Sequence, residues 1–219
     1  MDYAKHLIER ITSAPTHDRV GVLANELLRE FQLGYPLDDL EQLLKNNDQD
    51  VVATGAWITS ELGERCRPLL VDVLPLLAHP LQRIRFWALD CLFWAPPKNG
   101  CYLARAVRLL DDPETGIRRK VLNLLFRFSR EELEAAYHCV GEYGLSPSMS
   151  NGLSWLLSGD AIDPVEVKRA LGSPDPLFRR FGAAAAARIH KEHKEPLICA
   201  SQVDDPDISK FANRILESQ

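Results

Sequence analysis

The chain repeats itself every 33 residues. The leucine pairs Leu43-Leu44, Leu76-Leu77 and Leu109-Leu110 recur at this period, and the 20-residue segments that begin at each pair align without gaps. In every segment a turn is followed by an apolar position, which is occupied by Val51, Ile84 and Ile117 in the three copies. Such a period predicts stacked units that each lack a core of their own and bury their apolar faces against neighbours.

Each copy has two stretches in which apolar residues lie three and four positions apart, joined by a turn rich in Pro, Asp and Asn. This spacing is the periodicity of amphipathic helices. No segment shows the sustained alternation of polar and apolar residues that is typical of strands. The sequence therefore predicts an all-α fold built from helical hairpins.

A fourth copy begins at Leu171, with Pro174 at the turn and Phe178 at the apolar position. Leu171 follows Leu110 by 61 residues, about two periods, so we predict one degenerate repeat between them. In that stretch Ser146-Pro147-Ser148 and Asn151-Gly152 interrupt the expected second helix. We predict one domain over 1–219 with seven helix pairs: an N-terminal cap over 1–35, regular repeats over 36–128, the degenerate repeat over 129–160, and C-terminal repeats with a cap over 161–219.

These features resemble the HEAT-repeat family of α-solenoids. The resemblance rests on the turn Pro or Asp, the apolar residue four positions on, and the arginine after it: Arg85, Arg118 and Arg179. It covers residues 36–128 well and 163–217 less well. It implies a right-handed α-solenoid of about six to seven hairpins, in which these arginines stack between repeats with the turn acids Asp50, Asp112 and Asp175. We interpret this charged ladder as structural.

Charge is spread unevenly along the chain, whose net charge is −5. Residues 1–66 carry a net charge of −6, residues 67–130 of +6 and residues 131–219 of −5. The acidic total argues against a dedicated nucleic-acid binder. A basic middle between acidic ends suits a charged protein partner, although solvated helix faces alone could also produce this bias.

The five cysteines lie far apart and form no Cys-x-x-Cys pair. We expect reduced, mostly buried thiols, with Cys139 in the core, and neither a disulfide framework nor a cysteine zinc site. The N-terminus lacks the basic start and apolar stretch of a signal peptide, and no apolar run is long enough to span a membrane. We therefore expect a monomeric cytoplasmic protein that binds no membrane.

Motifs that carry chemistry are missing from the sequence. It contains no P-loop, no dinucleotide-binding glycines, no serine nucleophile elbow and no zinc-protease helix. His190 and His193 lie near Cys199 but lack persuasive further ligands, so we interpret them as a solvated helix end and expect no metal. We predict no catalytic residues, no cofactor and no enzymatic activity.

A surface stripe is the best candidate for a site. If the apolar positions face the core, residues 2, 6, 9 and 10 positions later share another side of each second helix. Aromatic residues and arginines are frequent there, as they are at interface hot spots. Packing of Phe86, Phe93 and Phe126 between helices is the alternative for those three. The predicted partner-binding residues are Trp57, Glu61, Phe86, Asp90, Trp94, Arg119, Asn123, Arg127 and Arg180.

The segments Gly55 to Gly63, Leu76 to Pro80 and Ile84 to Asp90 look like bacterial HEAT-like immunity proteins. That resemblance implies a protein that neutralises a toxin domain, often a nuclease of a contact-dependent system, in a tight stoichiometric complex. One alternative is a scaffold or chaperone-like lyase subunit of the HEAT class. Another is a HEAT-type alkylpurine DNA glycosylase, since Trp87, Asp90 and Trp94 superficially resemble its aromatics and Asp, but the net acidic charge argues against phosphate binding.

Overall fold

The computed structural model of the chain describes residues 3–14, 21–94, 100–141, 143–159 and 162–218. Within these ranges all regular structure is helical and no strand occurs, which confirms the all-α prediction. None of the described helices is both long and apolar enough to cross a bilayer. The chain divides into two compact units, Met1–Pro96 (unit 1) and Pro97–Gln219 (unit 2). One continuous repeat domain stays a prediction.

Unit 1 contains three successive helical hairpins, and α1 packs against α2, α3 against α4, and α4 also against α6. Its helices are α1 (Tyr3–Ser13), α2 (Val22–Gln32), α3 (Asp38–Leu44), α4 (Gln49–Glu61), α5 (Leu70–Val73) and α6 (Gln82–Leu92).

The segment between α4 and α6 is broken into short helices by proline. Gly63–Leu69 and Leu74–Ala78 are 3₁₀ helices on either side of the single α turn of α5. Pro68 and Pro75 lie within these segments. Because proline has no N–H and its ring clashes with the preceding turn, it kinks or breaks an α-helix.

Unit 2 is organised around α12, whose residues Phe181 to Ala187 are all buried. This helix packs against α8, α10, α11, α13 and α14. The helices are α7 (Gly100–Val107), α8 (Thr115–Arg127), α9 (Arg130–His138), α10 (Pro147–Leu156), α11 (Pro164–Leu171), α12 (Pro176–Ile189), α13 (Glu195–Gln202) and α14 (Pro206–Glu217), with a 3₁₀ helix over Arg108–Asp111.

The interrupted helix predicted near Ser146 and Gly152 is continuous. Ser146 is the N-cap of α10, its side chain accepts the Met149 N–H at 3.3 Å, and Pro147 occupies the first turn. Proline is well tolerated there because its missing N–H would have no helical partner. Gly152 lies inside α10 and faces the ring of Phe181. The expectation of a broken helix was wrong, since these residues start the helix and allow its close packing.

The apolar positions of the first three copies are confirmed as core, because Val51, Ile84 and Ile117 are each 0% exposed. In the fourth copy Phe178 is half-buried, because its ring stacks on that of Trp155 with the centroids 5.5 Å apart.

The arginines that follow these apolar positions make the same bonds in each copy. Nη1 donates to two carbonyls of the preceding turn, the first six residues back and the second five residues back. For Arg85 the distances are 2.8 and 2.9 Å, for Arg118 they are 2.7 and 2.8 Å, and for Arg179 they are 2.8 and 3.2 Å. These arginines therefore have the structural role that was predicted, although each stabilises its own turn.

Ion pairs between copies join other turn residues. Arg83 at the start of α6 pairs with Asp50 at the start of α4. In unit 2 the Arg118 Nε donates to the buried Asp207 at 2.5 Å, and Arg179 lies 3.8 Å from Asp205. The acids of the ladder thus come from α4 and from the last hairpin.

The expectation of five reduced thiols was wrong for two of them. Cys101 and Cys139 form a disulfide with their Cα atoms 5.3 Å apart. The two cysteines are 38 positions apart in sequence and meet because α7 and α9 pack side by side. The spacing of the cysteines in the sequence could not reveal this pairing. Cys66 and Cys91 are buried free thiols, and Cys199 is free and half-buried.

Candidate functional site

Helices α4 and α6 lie side by side and run in the same direction. At their N-terminal ends Arg83 pairs with Asp50. Beyond their C-terminal ends the indole of Trp94 approaches Gly63, coming within 3.7 Å of the place where a Cβ on that glycine would be. Two contacts at opposite ends align the helices along their length, so equivalent residues of the two copies are neighbours.

This alignment brings together four of the predicted partner-binding residues, which we call the α4–α6 patch: Trp57, Glu61, Asp90 and Trp94. Trp57 and Asp90 are equivalent, as are Glu61 and Trp94, because each pair is separated by one period of 33 residues. Glu61 is exposed, and Trp57 and Asp90 are half-buried. The patch thus presents two indoles and two carboxylates on one face of unit 1.

Trp94 is the most exposed aromatic residue of the patch, with 39% of its surface accessible. Its backbone carbonyl accepts a hydrogen bond of 2.8 Å from the Arg67 Nε, and Arg67 also pairs with Glu64 at 3.2 Å. Gly63, under the indole, has a φ of +59°, which glycine adopts without strain. These contacts hold Trp94 in place while 39% of its surface remains accessible to solvent.

Phe86 lies nearer the start of α6, where this face is partly covered by other side chains. Its ring meets that of Trp87 edge to face at 5.2 Å, and it is half-buried. The equivalent residue in the preceding copy, Ala53, is only 9% exposed. The face is therefore closed near the helix starts and open near their ends.

Three predicted residues lie on α8, in unit 2. Asn123 donates to the Arg119 carbonyl at 2.9 Å, a bond within the helix. Arg119 is half-buried, and its Nε has no hydrogen-bond partner among the described residues. Arg127 is exposed at the end of the helix. Arg127 occupies the position equivalent to Glu61 and Trp94, so the last position of the stripe is exposed in three copies.

Arg180 was predicted as a partner contact, but its side chain is used inside unit 2. It is 8% exposed, and its Nη1 donates to the Leu110 carbonyl at 2.5 Å. Burial, with a contribution from the charge of Arg118, lowers the pKa of the Arg180 guanidinium. The packing of α8 directly against α12 is the physical reason for this burial.

Arg188 has a similar internal role at the other end of α12. Its Nη1 donates to the carbonyls of Leu125 at 2.9 Å and Phe128 at 2.6 Å, at the C-terminal end of α8. Burial lowers the pKa of Arg188. A cation at this end of a helix satisfies carbonyls that lack helical partners and interacts favourably with the helix dipole.

A cleft of 620 Å³, which the sequence did not indicate, lies beside Arg188. Phe126, Phe128, Ile162 and Ile189 form much of its apolar lining, and residues 190–193 form its polar side. His190 and His193 thus border a cleft, with the His190 Nδ1 2.5 Å from the Ala187 carbonyl oxygen. Within the described ranges no three His, Cys, Asp or Glu side chains are grouped as a metal site would require.

Comparison with known proteins leaves the family open. No protein-family model matches the chain, and no curated protein sequence matches it. The crystal structure of an engineered protein is similar, with a TM-score of 0.56 and 15% sequence identity, over 99% of this chain and 96% of that chain. This similarity supports the all-helical fold alone.

Proposed function

We propose that this chain is a protein-binding module that neutralises a toxin domain, possibly a nuclease, by forming a stoichiometric complex through the α4–α6 patch. The observation that carries the proposal is Trp94, an exposed indole held in position by contacts of both its ring and its backbone. Glu61 and Asp90 supply charge beside it.

Energetically, a fixed aromatic residue is a good anchor for a partner. Trp buries a large apolar area, and hot spots of protein interfaces are enriched in it. Since Trp94 is already positioned, little conformational entropy is lost when a partner covers it. An interface of about 1,200 to 2,000 Å² in total is the usual size for a stable complex, and the patch would form its centre.

Charge favours a basic partner for unit 1. Residues 1–96 carry 9 basic and 14 acidic groups, whereas residues 97–219 carry 17 of each, so the net charge of the chain resides in unit 1. Complementary charge accelerates association and selects among partners. A domain that acts on nucleic acid needs a cationic surface to bind phosphates, and such a surface would complement the patch.

The test begins with affinity capture of the tagged chain from its native host at moderate salt. Each captured polypeptide is then expressed alone and together with this chain. We expect one of them to stop growth when alone and to be tolerated when co-expressed. Recovery of a harmless housekeeping protein would instead favour a scaffold or lyase-chaperone subunit, and recovery of DNA alone would favour the glycosylase.

Two matched variants then test the surface. Trp94→Ala is expected to weaken the complex by at least about 2 kcal/mol, as hot-spot truncations do, while the circular dichroism spectrum stays unchanged. Tyr137→Ala is the control, because Tyr137 is equally exposed, at 40%, but lies in unit 2. Equal binding by both variants and the parent chain would exclude the patch. Arg119→Glu asks separately whether α8 takes part.

A further inference from the structure

The disulfide of unit 2 joins two helices at accessible positions. Cys101 is in the first turn of α7, and Cys139 is the C-cap of α9. Both residues are half-buried. Both cysteines of the bond therefore keep some surface that is accessible to solvent, unlike Cys66 and Cys91, which are each 0% exposed.

Other contacts besides the disulfide hold α7 and α9 together. Leu103 of α7 and Leu133 and Ala136 of α9 are at most 2% exposed, and the two helices lie against one another. The guanidinium of Arg105 also lies over the ring of Tyr143, 4.8 Å from its centroid, and so ties α7 to the turn after α9. The Cα atoms are 5.3 Å apart, a separation that suits a disulfide.

We propose that Cys101 and Cys139 form a reversible thiol–disulfide site, whose redox state determines how firmly α9 is held to α7. The reductant is a low-molecular-weight dithiol or a pair of thiols. A thiolate of the reductant attacks one Sγ, the Sγ–Sγ bond breaks, and the other cysteine leaves as a thiolate that takes up a proton. A second thiolate then displaces the first cysteine, so two protein thiols and one reductant disulfide are formed.

The remaining cysteines provide internal controls. A hydrogen bond from the Cys91 thiol lowers the pKa of Cys66, and the same pairing with burial raises the pKa of Cys91. Their burial protects both from reagents in the folded chain. Cys199 is half-buried and free, so it reports whether the labelling reagent is active at every redox ratio.

The experiment equilibrates the native chain with mixtures of reduced and oxidised dithiothreitol at neutral pH. A large excess of N-ethylmaleimide is then added under native conditions, where it alkylates the accessible thiols and consumes the remaining dithiothreitol. Mass spectrometry of peptides then gives the labelled fraction of each cysteine. We expect Cys101 and Cys139 to become labelled together as the reduced fraction rises, without denaturant. Cys199 should be labelled in every mixture, and Cys66 and Cys91 only after unfolding.

Hydrogen exchange measures the structural consequence. After reduction we expect the amides over 130–138 to exchange about 10-fold faster or more, since α9 loses its covalent attachment, while those over 176–189 stay unchanged. The double variant Cys101→Ser with Cys139→Ser should exchange like the reduced chain and ignore the dithiol. If that variant does not fold, the labelling and exchange of the native chain decide the matter alone.

Three results would overturn the proposal. The bond could resist reduction until denaturant is added, which would make it a permanent crosslink. The thiols could stay unpaired in the most oxidising mixture. The exchange of α9 could be the same in both states, so that the bond would have no influence on how α9 is held.

Discussion

Replacement of Gly152 by alanine tests how α10 is built into unit 2. An added Cβ would lie 2.2 Å from the Phe181 Cδ2 and 2.4 Å from two further atoms of that ring. Carbon atoms in contact are normally about 3.5 to 4.0 Å apart, so the ring or the helix would have to move by more than about 1 Å. Phe181 is 0% exposed, so its ring is enclosed by protein.

The magnitude follows from two opposing effects. Overpacking of a core costs about 1 to 3 kcal/mol, and contact with three ring atoms places Gly152→Ala at the upper end. Alanine in a helix interior recovers about 1 kcal/mol relative to glycine. We therefore expect a net destabilisation of about 2 kcal/mol. For a chain of this length that corresponds to a fall in Tm of about 4 to 8 °C.

Thermal and urea unfolding followed by circular dichroism at 222 nm measure this change. Gly172→Ala is the matched control, because Gly172 is exposed and the nearest atom to its added Cβ would be 3.7 Å away. Combining Gly152→Ala with Phe181→Leu should cost less than the sum of the two single changes, since the smaller side chain makes room. If propensity alone governed this site, Gly152→Ala would be about 1 kcal/mol more stable than the parent chain, and that result would refute the described packing of α10 on Phe181.

Three further predictions concern single contacts. Arg188→Met should lose about 2 kcal/mol, since carbonyls at the end of a helix lose a charged donor, whereas the exposed Arg169→Met should lose almost nothing in urea unfolding. Ser129→Ala should cost about 1 kcal/mol, because it removes the capping box of α9. Burial, then the charges of two arginines, lowers the pKa of His79, whose Nδ1 accepts the Leu81 N–H at 3.1 Å. Since the imidazole of His79 binds a proton more readily in the unfolded chain, the contribution of neutral His79 to stability should be complete above pH 6.5 and should be lost as the pH falls below that value. When Tm is measured against pH, the loss should be smaller in His79→Asn.

Features that depend on local spacing could be predicted from the sequence. The 33-residue period placed Val51, Ile84 and Ile117 in the core, where each is 0% exposed. The same alignment assigned a structural role to Arg85 and Arg118, which bond to turns five and six residues away. Such contacts are set by residues close in sequence, and periodicity therefore reveals them.

Features that depend on which helices meet could not be predicted in this way. A strict repeat leads one to expect that each helix packs against the next copy, but α8 packs directly against α12 and α14. That packing buries Arg180 and places Asp207 beside Arg118. The disulfide between Cys101 and Cys139 has the same origin, because the packing of α9 on α7 is not encoded in the cysteine spacing.

The packing of α12 also limits which part of the predicted stripe can bind a partner. In the fourth copy Arg180 and Ala184 are 8% and 0% exposed, because α12 is covered by neighbouring helices. Among the predicted partner-binding residues, the exposed ones lie at the ends of α4, α6 and α8 and are Glu61, Trp94 and Arg127. Of these three, Trp94 alone offers a large apolar surface. Since charged groups at an interface rim contribute less to affinity than a buried aromatic anchor, the affinity of any complex formed by this stripe should depend more on Trp94 than on the charges around it.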